Sequence, residues 1–290
     1  MAPGLRNYLV LTKPRVVLLM LLTMWAGMYL AATDSIPWWL WINATIGIAF
    51  MSGSAATLNH IIDHRVDAIM ARTQNRPLPT GKVSMPAAWV FASALGMSGF
   101  IILFFGVNIL TAFLTLLAAI GYSIVYSLYL KHATSQNIVI GGLSGAMPPL
   151  LGWTAVSGHL DPQGWLLVLI IFTWTPAHFW ALCIHRLNEY KKVSVPMLPV
   201  THGVPFTKIN IVFYSLLTAA CSLLPYVIGM SGQLYLVSVL LLNAGLLFYA
   251  FKLQFAAEDH AISLKTFQYS LIYLTGLFLA ILLDHHLMIN

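Results

Sequence analysis

The chain has 290 residues, of which 59% are hydrophobic and only 8% are charged. Soluble domains carry about 25% charged residues, so this composition excludes a sizeable soluble domain. Runs of 18 or more mostly apolar residues recur along almost the whole length, and each is long enough to cross a hydrocarbon core of about 30 Å. The chain is therefore predicted to be an all-α polytopic membrane protein, with a single integral-membrane domain over 1–290. The net charge of +6 is spread over many helix ends, which argues against a nucleic-acid partner.

Nine membrane-spanning helices are predicted. All fourteen Lys and Arg residues fall in connections on one side of this map. Because Lys and Arg favour the cytoplasmic side of short loops, the N-terminus is expected in the cytoplasm and the C-terminus on the opposite side. Cys183 and Cys221 lie inside apolar runs and are expected to be separate buried thiols. The spans are expected at about 16–32, 37–58, 85–106, 108–130, 137–156, 164–185, 209–229, 232–254 and 265–284.

Two cytoplasmic connections stand out by length, roughly 59–84 and 186–208. They follow the second and sixth predicted spans, four spans apart. This spacing suggests two related four-helix halves, at about 16–130 and 137–254, plus a ninth helix. In such a repeat both loops would cap the same cytoplasmic mouth, with a site between them.

The first of these connections begins with the stretch NHIIDHRVD at 59–67. Asn59, Asp63 and Asp67 are spaced four residues apart, so on a helix they form one stripe about 12 Å long. An Asp that faced lipid at mid-membrane depth would cost roughly 2.5–3.5 kcal/mol. The stripe is therefore expected to face water, a cavity or a cation, and a solvated helix end is the alternative.

Basic residues follow the stripe at once, at Arg72, Arg76 and Lys82. Mg²⁺ takes one or two carboxylates and completes its octahedron with waters and phosphate oxygens. Arg binds phosphate through a bidentate fork. Together these residues predict a site for a metal-bound diphosphate at a membrane surface, with Mg²⁺ on the Asn59, Asp63 and Asp67 stripe. A diphosphate with an apolar tail would be a prenyl diphosphate.

The stretch NHIIDHRVDAIMARTQNRPLPTG resembles the first signature of the UbiA-type intramembrane prenyltransferases, N-x-x-x-D-x-x-x-D followed by R-x-x-x-R-P. More narrowly, RTQNRPLPTGKVS, SQNIVIGGLSGAMPPLLGWTAVSG, TPAHFWAL and EYKKVSVPMLPVTHG resemble the protohaem IX farnesyltransferases, or haem O synthases, over nearly the whole chain. The resemblance implies a UbiA-type bundle of nine helices with a cytoplasmic cap, in a bacterial inner membrane. It also implies Mg²⁺-dependent transfer of a farnesyl group from farnesyl diphosphate to a vinyl group of protohaem IX, with water addition, to give haem O. Haem is then a substrate, and haem A synthase or a terminal oxidase assembly is an expected partner.

The second connection, CIHRLNEYKKVSVPMLP, departs from the superfamily pattern, because Glu189 is its only acidic residue. It does not predict a second Mg²⁺ held fully by the protein. Glu189 is expected to bind metal through water or to orient Arg186, three residues earlier on the same helical face. Arg186 is a predicted diphosphate contact. Lys191 is either a substrate contact or an ordinary residue of a positive-inside loop.

Histidines provide the candidates for haem contact. His178 lies about 12 Å deeper than Arg186 along the same helix, after the helix-breaking Pro176. It is either a haem ligand, an acid–base group beside the reacting vinyl group, or a hydrogen-bonded interior histidine. His60 and His64 flank the Asp stripe and are alternatives for contact with the iron or a propionate. Asn137, at the mouth of the fifth span, is a weaker candidate.

Two other functions stay open at this level. A prenyltransferase of another aromatic acceptor, such as 4-hydroxybenzoate, would use the same diphosphate site. A transporter or proton-relay protein would line a pathway with its Asp residues. The charges gather at one membrane face, which argues against a pathway.

Overall fold

The computed structural model describes residues 3–192, 195–257 and 259–289. All regular structure within these ranges is helical. A π-helix, Gly121–Leu130, continues α5 directly and leads into the single turn α6. The α-helices are α1 (Pro3–Leu11), α2 (Pro14–Ala31), α3 (Trp38–Ile69), α4 (Met85–Gly106), α5 (Ile109–Ile120), α6 (Lys131–Ala133), α7 (Asn137–Ala146), α8 (Pro148–Ser157), α9 (Pro162–His185), α10 (Leu187–Lys192), α11 (Leu198–Thr201), α12 (Gly203–Val227), α13 (Gln233–Gln254) and α14 (Asp259–Ile289).

Eight helical stretches of the described chain are long and apolar enough to cross a membrane. They match eight of the nine predicted spans, and the one at Met85–Gly106 has the predicted bounds. The predicted span at 37–58 lies within α3, which is 32 residues long but is not among the eight. Polar and small residues such as Asn43, Ser52 and Ser54 lower the hydropathy of this helix. The fold is therefore an all-helical membrane fold.

The chain forms two compact units, and the first lies within Met1–His132 and Met147–Leu160. In this unit α3 packs along α4, and α2 packs along α8. Gly27 and Gly152 are required at the second contact: a Cβ on Gly27 would overlap the carbonyl of Pro149, and one on Gly152 would overlap the carbonyl of Met24. Small residues let membrane helices approach this closely.

The second unit lies within Ala133–Ala146 and Asp161–Asn290. Here α9 packs against α7, α12 and α14, and α13 packs between α12 and α14. Buried polar side chains connect α12, α13 and α14 through hydrogen bonds. The Tyr273 hydroxyl donates to Asn243 Oδ1 at 2.9 Å, and Asn243 Nδ2 donates to Ser222 Oγ at 3.1 Å. Cys183 and Cys221 are separate buried thiols, as predicted.

The two long connections are shorter and more ordered than the sequence suggests. Because α3 continues to Ile69, the first connection covers only 70–84. Val83 is buried against Leu11 and Ile61, with Leu78 packed beside them, so this connection is held against α1 and α3. The second connection contains α10 and α11, and α12 begins at Gly203.

Candidate diphosphate site and haem-facing residues

The acidic stripe lies on the uninterrupted C-terminal part of α3. Asn59, Asp63 and Asp67 are each 4% exposed, so the protein itself covers the carboxylates. The alternative drawn from the sequence, a solvated helix end, would leave these carboxylates exposed, and they are not. Buried charges need partners, and the surrounding residues supply three cations.

Each residue of the stripe contacts one of these cations. Lys131 Nζ lies 2.7 Å from Asp63 Oδ2, and Arg76 Nη1 lies 2.6 Å from Asp67 Oδ2. Lys13 Nζ donates to Asn59 Oδ1 at 2.6 Å. The Asn59 carboxamide also donates to Asp63 Oδ2 at 2.9 Å, so it links the first lysine to the first carboxylate. We call these six residues the carboxylate–cation cluster.

The connection after α3 turns Arg76 back towards the stripe. The Thr73 hydroxyl, which is buried, donates to the carbonyl of Asp67 at 3.0 Å, and the Arg76 N–H donates to the carbonyl of Thr73 at 2.9 Å. These bonds form a tight turn directly after the helix. Arg76 is consequently held beside Asp67.

Lys13 is held in a strained backbone conformation. Its φ of 50° makes it the only non-glycine residue with positive φ in the described ranges. Such a conformation costs of order 1–3 kcal/mol and persists when the surrounding contacts require it. Burial and the charge of Arg76 lower the pKa of Lys13 to about 8, although Asp63 and Asp67 act in the opposite direction. This lysine therefore loses its proton more easily than a lysine in water.

The π-helix brings two more polar side chains, Tyr122 and Ser127, to the same place. Ser127 Oγ accepts from Asn59 Nδ2 at 2.9 Å and donates to the carbonyl of Tyr122, five residues earlier, at 2.9 Å. The Tyr122 hydroxyl accepts from Lys13 Nζ at 3.3 Å. The backbone N–H of Lys131 donates to the carbonyl of Tyr126, five residues earlier. The hydrogen-bond spacing of the π-helix therefore extends to this lysine. π-helical segments occur frequently at functional sites.

This register decides which side chains share a face. In an α-helix, residues nine apart are 2.5 turns apart and lie on opposite sides. In a π-helix, nine residues are about two turns, so Tyr122 and Lys131 lie on the same side. The π-helix therefore directs both residues, with Ser127, towards α3.

Two groups in this region are buried without any hydrogen-bond partner. They are Asp63 Oδ1 and the imidazole of His60, whose two nitrogens are both unpaired. Nδ1 of His60 lies 3.9 Å from Asp67 Oδ2. A buried polar atom without a partner costs about 1–3 kcal/mol and calls for a ligand or another explanation.

The carboxylate oxygens of the stripe suit Mg²⁺ bound together with a diphosphate. No group of three or more His, Cys, Asp or Glu residues in the described ranges could hold a metal ion by itself. Mg²⁺ does not need such a group, because it typically binds one or two carboxylates plus waters and substrate phosphates. The free Oδ1 of Asp63 and the carboxylate of Asp67 are the protein oxygens that fit such a metal.

Three other predicted residues near the stripe do not join the cluster. Arg72 and Lys82 are exposed. His64 is half-buried, and its Nδ1 lies 2.9 Å from the carbonyl of Ile61 in its own helix. The structure therefore gives Arg76 a direct contact with the stripe and gives Arg72 none.

In the second unit, the predicted second motif carries one unpaired carboxylate oxygen. Glu189 is half-buried, and its Oε2 is buried without a hydrogen-bond partner. Arg186 is half-buried directly after the last residue of α9, and its carbonyl accepts from the N–H of Glu189 at 3.0 Å. Lys191 is exposed. Glu189 thus retains one buried oxygen for a cation or a bound water.

His178 is fixed on α9 by three neighbours within the second unit. Its ring stacks on Trp174 at 4.1 Å and on Phe267 at 4.5 Å between centroids. Its Nδ1 lies 2.7 Å from the hydroxyl of Ser270. Asn137 is fully buried at the start of α7, where its Nδ2 donates to the carbonyl of Thr134 and its Oδ1 is unpaired.

Four residues of the first unit were missed as site candidates from the sequence: Lys13, Tyr122, Ser127 and Lys131. Both lysines were interpreted only as positive-inside charges. Lys13 precedes Pro14 at the start of α2, and Lys131 ends a segment with three tyrosines. Neither pattern distinguishes a buried lysine from an exposed one.

Comparison with known proteins identifies the family of this chain. The UbiA prenyltransferase family profile matches residues 19–272. Protoheme IX farnesyltransferase 1 of Vibrio parahaemolyticus is 53% identical over 97% of this chain and 93% of its own length. Protoheme IX farnesyltransferase of Shewanella denitrificans is 54% identical over the same shares.

Solved structures show the same fold at low sequence identity. A digeranylgeranylglyceryl phosphate synthase aligns with a TM-score of 0.83 at 20% identity, over 97% of this chain and 98% of its own. A UbiA homologue from Archaeoglobus fulgidus, bound to GPP and Mg²⁺, aligns with a TM-score of 0.65 at 18% identity, over 95% and 99%. The chain therefore belongs to the UbiA prenyltransferase family, within which its relatives of 53–54% identity are protohaem IX farnesyltransferases.

Proposed function

We propose that the protein transfers a farnesyl group from farnesyl diphosphate to a vinyl group of protohaem IX, with addition of water, and releases haem O and diphosphate. The observation that carries this proposal is the 53–54% identity to protohaem IX farnesyltransferases over 97% of the chain. No observation favours 4-hydroxybenzoate as the acceptor or a transport function. The carboxylate–cation cluster supports the chemistry, because its groups suit a metal diphosphate.

Asp63 and Asp67 are proposed to hold Mg²⁺, with Asn59 beside them. When bound, Mg²⁺ acts as a Lewis acid that offsets the charge growing on the leaving diphosphate. Asp63 Oδ1 is free for this purpose. The UbiA homologue of Archaeoglobus fulgidus was solved with GPP and Mg²⁺, which supports a metal-dependent site of this kind.

Lys131 and Arg76 are proposed to turn from the carboxylates, and Lys13 from the Asn59 carboxamide, to the diphosphate when substrate arrives. Lys131 and Arg76 each contact only one oxygen of their carboxylate. A diphosphate beside them would accept the same charged N–H groups in short, strong hydrogen bonds. Breaking the allylic C–O bond leaves an additional negative charge on diphosphate. Fixed cations at that position stabilise the transition state more than the ground state.

On the acceptor side we propose that His178 binds the haem iron through Nε2. Its Nδ1 is already engaged by Ser270, and both ring faces are covered by aromatic side chains. A metal-binding histidine usually has its other ring nitrogen held by a hydrogen bond in this way. Arg186, Glu189 and Asn137 are proposed contacts of substrate polar groups, since Glu189 and Asn137 each keep a buried oxygen unpaired. Direct substrate contacts of Arg72, Lys82, Lys191, His60 and His64 remain predictions.

The proposed topology has nine spans in a bacterial inner membrane. They are the eight apolar helical stretches and α3, which is the second span in chain order. Residues 70–84 and the stretch beginning at Arg186 then lie on the cytoplasmic side as cap segments. The N-terminus is cytoplasmic and the C-terminus lies on the opposite side. Haem A synthase or a terminal oxidase assembly is the proposed recipient of the product.

The test is to incubate purified protein with farnesyl diphosphate, protohaem IX and Mg²⁺ and to analyse the porphyrins by mass spectrometry. We expect a porphyrin heavier by one hydroxyfarnesyl group. The product should be absent without Mg²⁺ and in Asp63→Asn. Prenylated 4-hydroxybenzoate in a parallel reaction, with no change in protohaem, would contradict the proposed acceptor.

A further inference from the structure

Two histidines outside the proposed reaction meet at adjoining helix ends of the second unit. His185 is the last residue of α9, and His260 lies in the first turn of α14. His185 Nδ1 lies 3.0 Å from the carbonyl oxygen of His260, and His260 Nδ1 lies 3.3 Å from the carbonyl oxygen of His185. The ring centroids are 6.1 Å apart, with planes inclined by 72°.

These bonds fix the protonation pattern of both rings. A carbonyl oxygen only accepts hydrogen bonds, so Nδ1 must carry the hydrogen in each imidazole. In the neutral ring the lone pair is then on Nε2. Metal-binding histidines characteristically donate their other N–H to a carboxylate or backbone carbonyl, which orients the ring. His260 is exposed and His185 is half-buried, and both lie at ends of candidate membrane spans, so the pair is accessible from outside the protein.

The spacing of the rings also suits a shared metal. A Zn–N bond is about 2.0–2.1 Å, which places each ring centre roughly 3.2 Å from the metal. Two rings on one metal are then about 5.2 Å apart at a tetrahedral angle and about 6.4 Å apart in a linear arrangement. The observed 6.1 Å lies between these limits.

We propose that His185 and His260 form an imidazole-pair site for a transition-metal centre, with Nε2 of each ring as the ligand. Imidazole suits Zn, Cu, Fe and Ni. The metal is either a free divalent ion or the iron of a porphyrin that docks here before reaction. Binding of porphyrin iron rests on the proposed function, whereas binding of a free divalent ion does not. The alternative is that the two bonds only cap the adjoining helix ends.

His→Asn substitutions separate these two roles. An Asn carboxamide nitrogen can replace Nδ1–H as the donor to the carbonyl, but it leaves no group at the Nε2 position. We would prepare His185→Asn and His260→Asn in protein without a polyhistidine tag. His202→Asn is the matched control, because His202 is an exposed histidine whose ring meets the hydroxyl of Thr201 and stacks on Phe206.

Cu²⁺ is the first probe, followed by electron paramagnetic resonance. In the wild type we expect coupling to two imidazole nitrogens, a measurement that needs no variant to fold. Each Asn variant at His185 or His260 should bind Cu²⁺ roughly tenfold or more weakly, whereas His202→Asn should match the wild type. Coupling to fewer than two nitrogens, or an equal loss in His202→Asn, would overturn a free-ion site.

Ferric protohaem is the second probe, titrated by absorption without farnesyl diphosphate. A shifted spectrum or weakened binding in His185→Asn or His260→Asn identifies porphyrin iron as a source, and an effect on Cu²⁺ alone identifies a free ion. Unchanged binding of both probes in both variants overturns the proposal. Because neither titration requires farnesyl transfer, failure of the proposed activity would not be mistaken for failure of this site.

Discussion

Removing Lys131 should show how strongly the buried stripe depends on its cations. Lys131→Met keeps an unbranched side chain of similar length but leaves Asp63 without the ammonium that lies 2.7 Å away. Removing one partner of a buried pair typically costs 3–5 kcal/mol, because the other charge stays buried and unpaired. The side chains are 15% and 6% exposed, so we expect the lower end of that range. The free energy of unfolding should fall by about 3 kcal/mol.

Removing the other charge should cost less. In Asp63→Asn the lysine can turn towards water, so we expect a loss of about 1–2 kcal/mol, mainly from imperfect hydrogen bonding. With both changes present no unpaired charge is left, and the double variant should lie within about 1 kcal/mol of the wild type. The coupling energy of the cycle is then about 4 kcal/mol. All three variants should nevertheless lose farnesyl transfer, since Asp63 is a proposed metal ligand and Lys131 is a proposed diphosphate contact.

The assay is reversible unfolding in mixed detergent micelles, with turnover measured on the same preparations. Lys252→Met is the matched control, because Lys252 is an exposed lysine whose ammonium lies 5.5 Å from the centre of the Phe248 ring. It should change stability by less than about 0.5 kcal/mol. Additive losses in the Lys131 and Asp63 cycle would refute the reasoning, since they would mean that the two charges do not interact in the folded protein.

The other predictions concern the diphosphate, haem and helix contacts. Arg76→Lys should raise the KM for farnesyl diphosphate about tenfold or more while haem binding is unchanged, because an ammonium cannot form the forked contact; normal kinetics would count against that contact. His178→Gln should shift the haem absorption spectrum with little effect on farnesyl diphosphate affinity, and an unchanged spectrum and rate would leave His178 as an interior hydrogen-bonding residue. Gly27→Ala should destabilise the protein by roughly 1–3 kcal/mol, because its Cβ would overlap the carbonyl of Pro149. Gly145→Ala, where no atom lies within 4 Å of the added Cβ, should be tolerated, and equal losses in both variants would contradict this packing argument.

The parts of the fold that the sequence predicts well are those that depend on the lipid solvent. A run of apolar residues between polar ends can only become a helix in a bilayer, because its backbone must satisfy its own hydrogen bonds. The span at Met85–Gly106 therefore has the predicted bounds. The stripe on α3 is predicted for a similar reason, since carboxylates four residues apart on an apolar helix share one face. The second span is harder to recognise from hydropathy, because it contains polar residues. In the structure these residues face neighbouring helices. Ser54, for example, donates to the carbonyl of Ala92 at 2.7 Å.

The partners of the stripe depend on features that periodicity does not reveal. The five-residue hydrogen bonds of the π-helix arise from local backbone energetics and packing, and α-helical spacing would place Lys131 opposite Tyr122. Lys13 reaches Asn59 from a left-handed backbone conformation, which a sequence rarely indicates for lysine. Both lysines are therefore identified by geometry and not by their positions in the chain.

The charges of the cluster explain why so many cations surround two carboxylates. Lys13, Lys131 and Arg76 carry three positive charges, and Asp63 and Asp67 carry two negative ones, so the cluster has a net charge of +1. An ionised prenyl diphosphate with three negative charges, bound to one Mg²⁺, has a net charge of −1 and neutralises it. Without ligand, the pairing of lysine and arginine with carboxylate limits the cost of burying these groups. With ligand, the same side chains exchange one set of anionic oxygens for another. A cluster of this composition is therefore stable while empty and still attracts the metal-bound diphosphate, which carboxylates alone would repel.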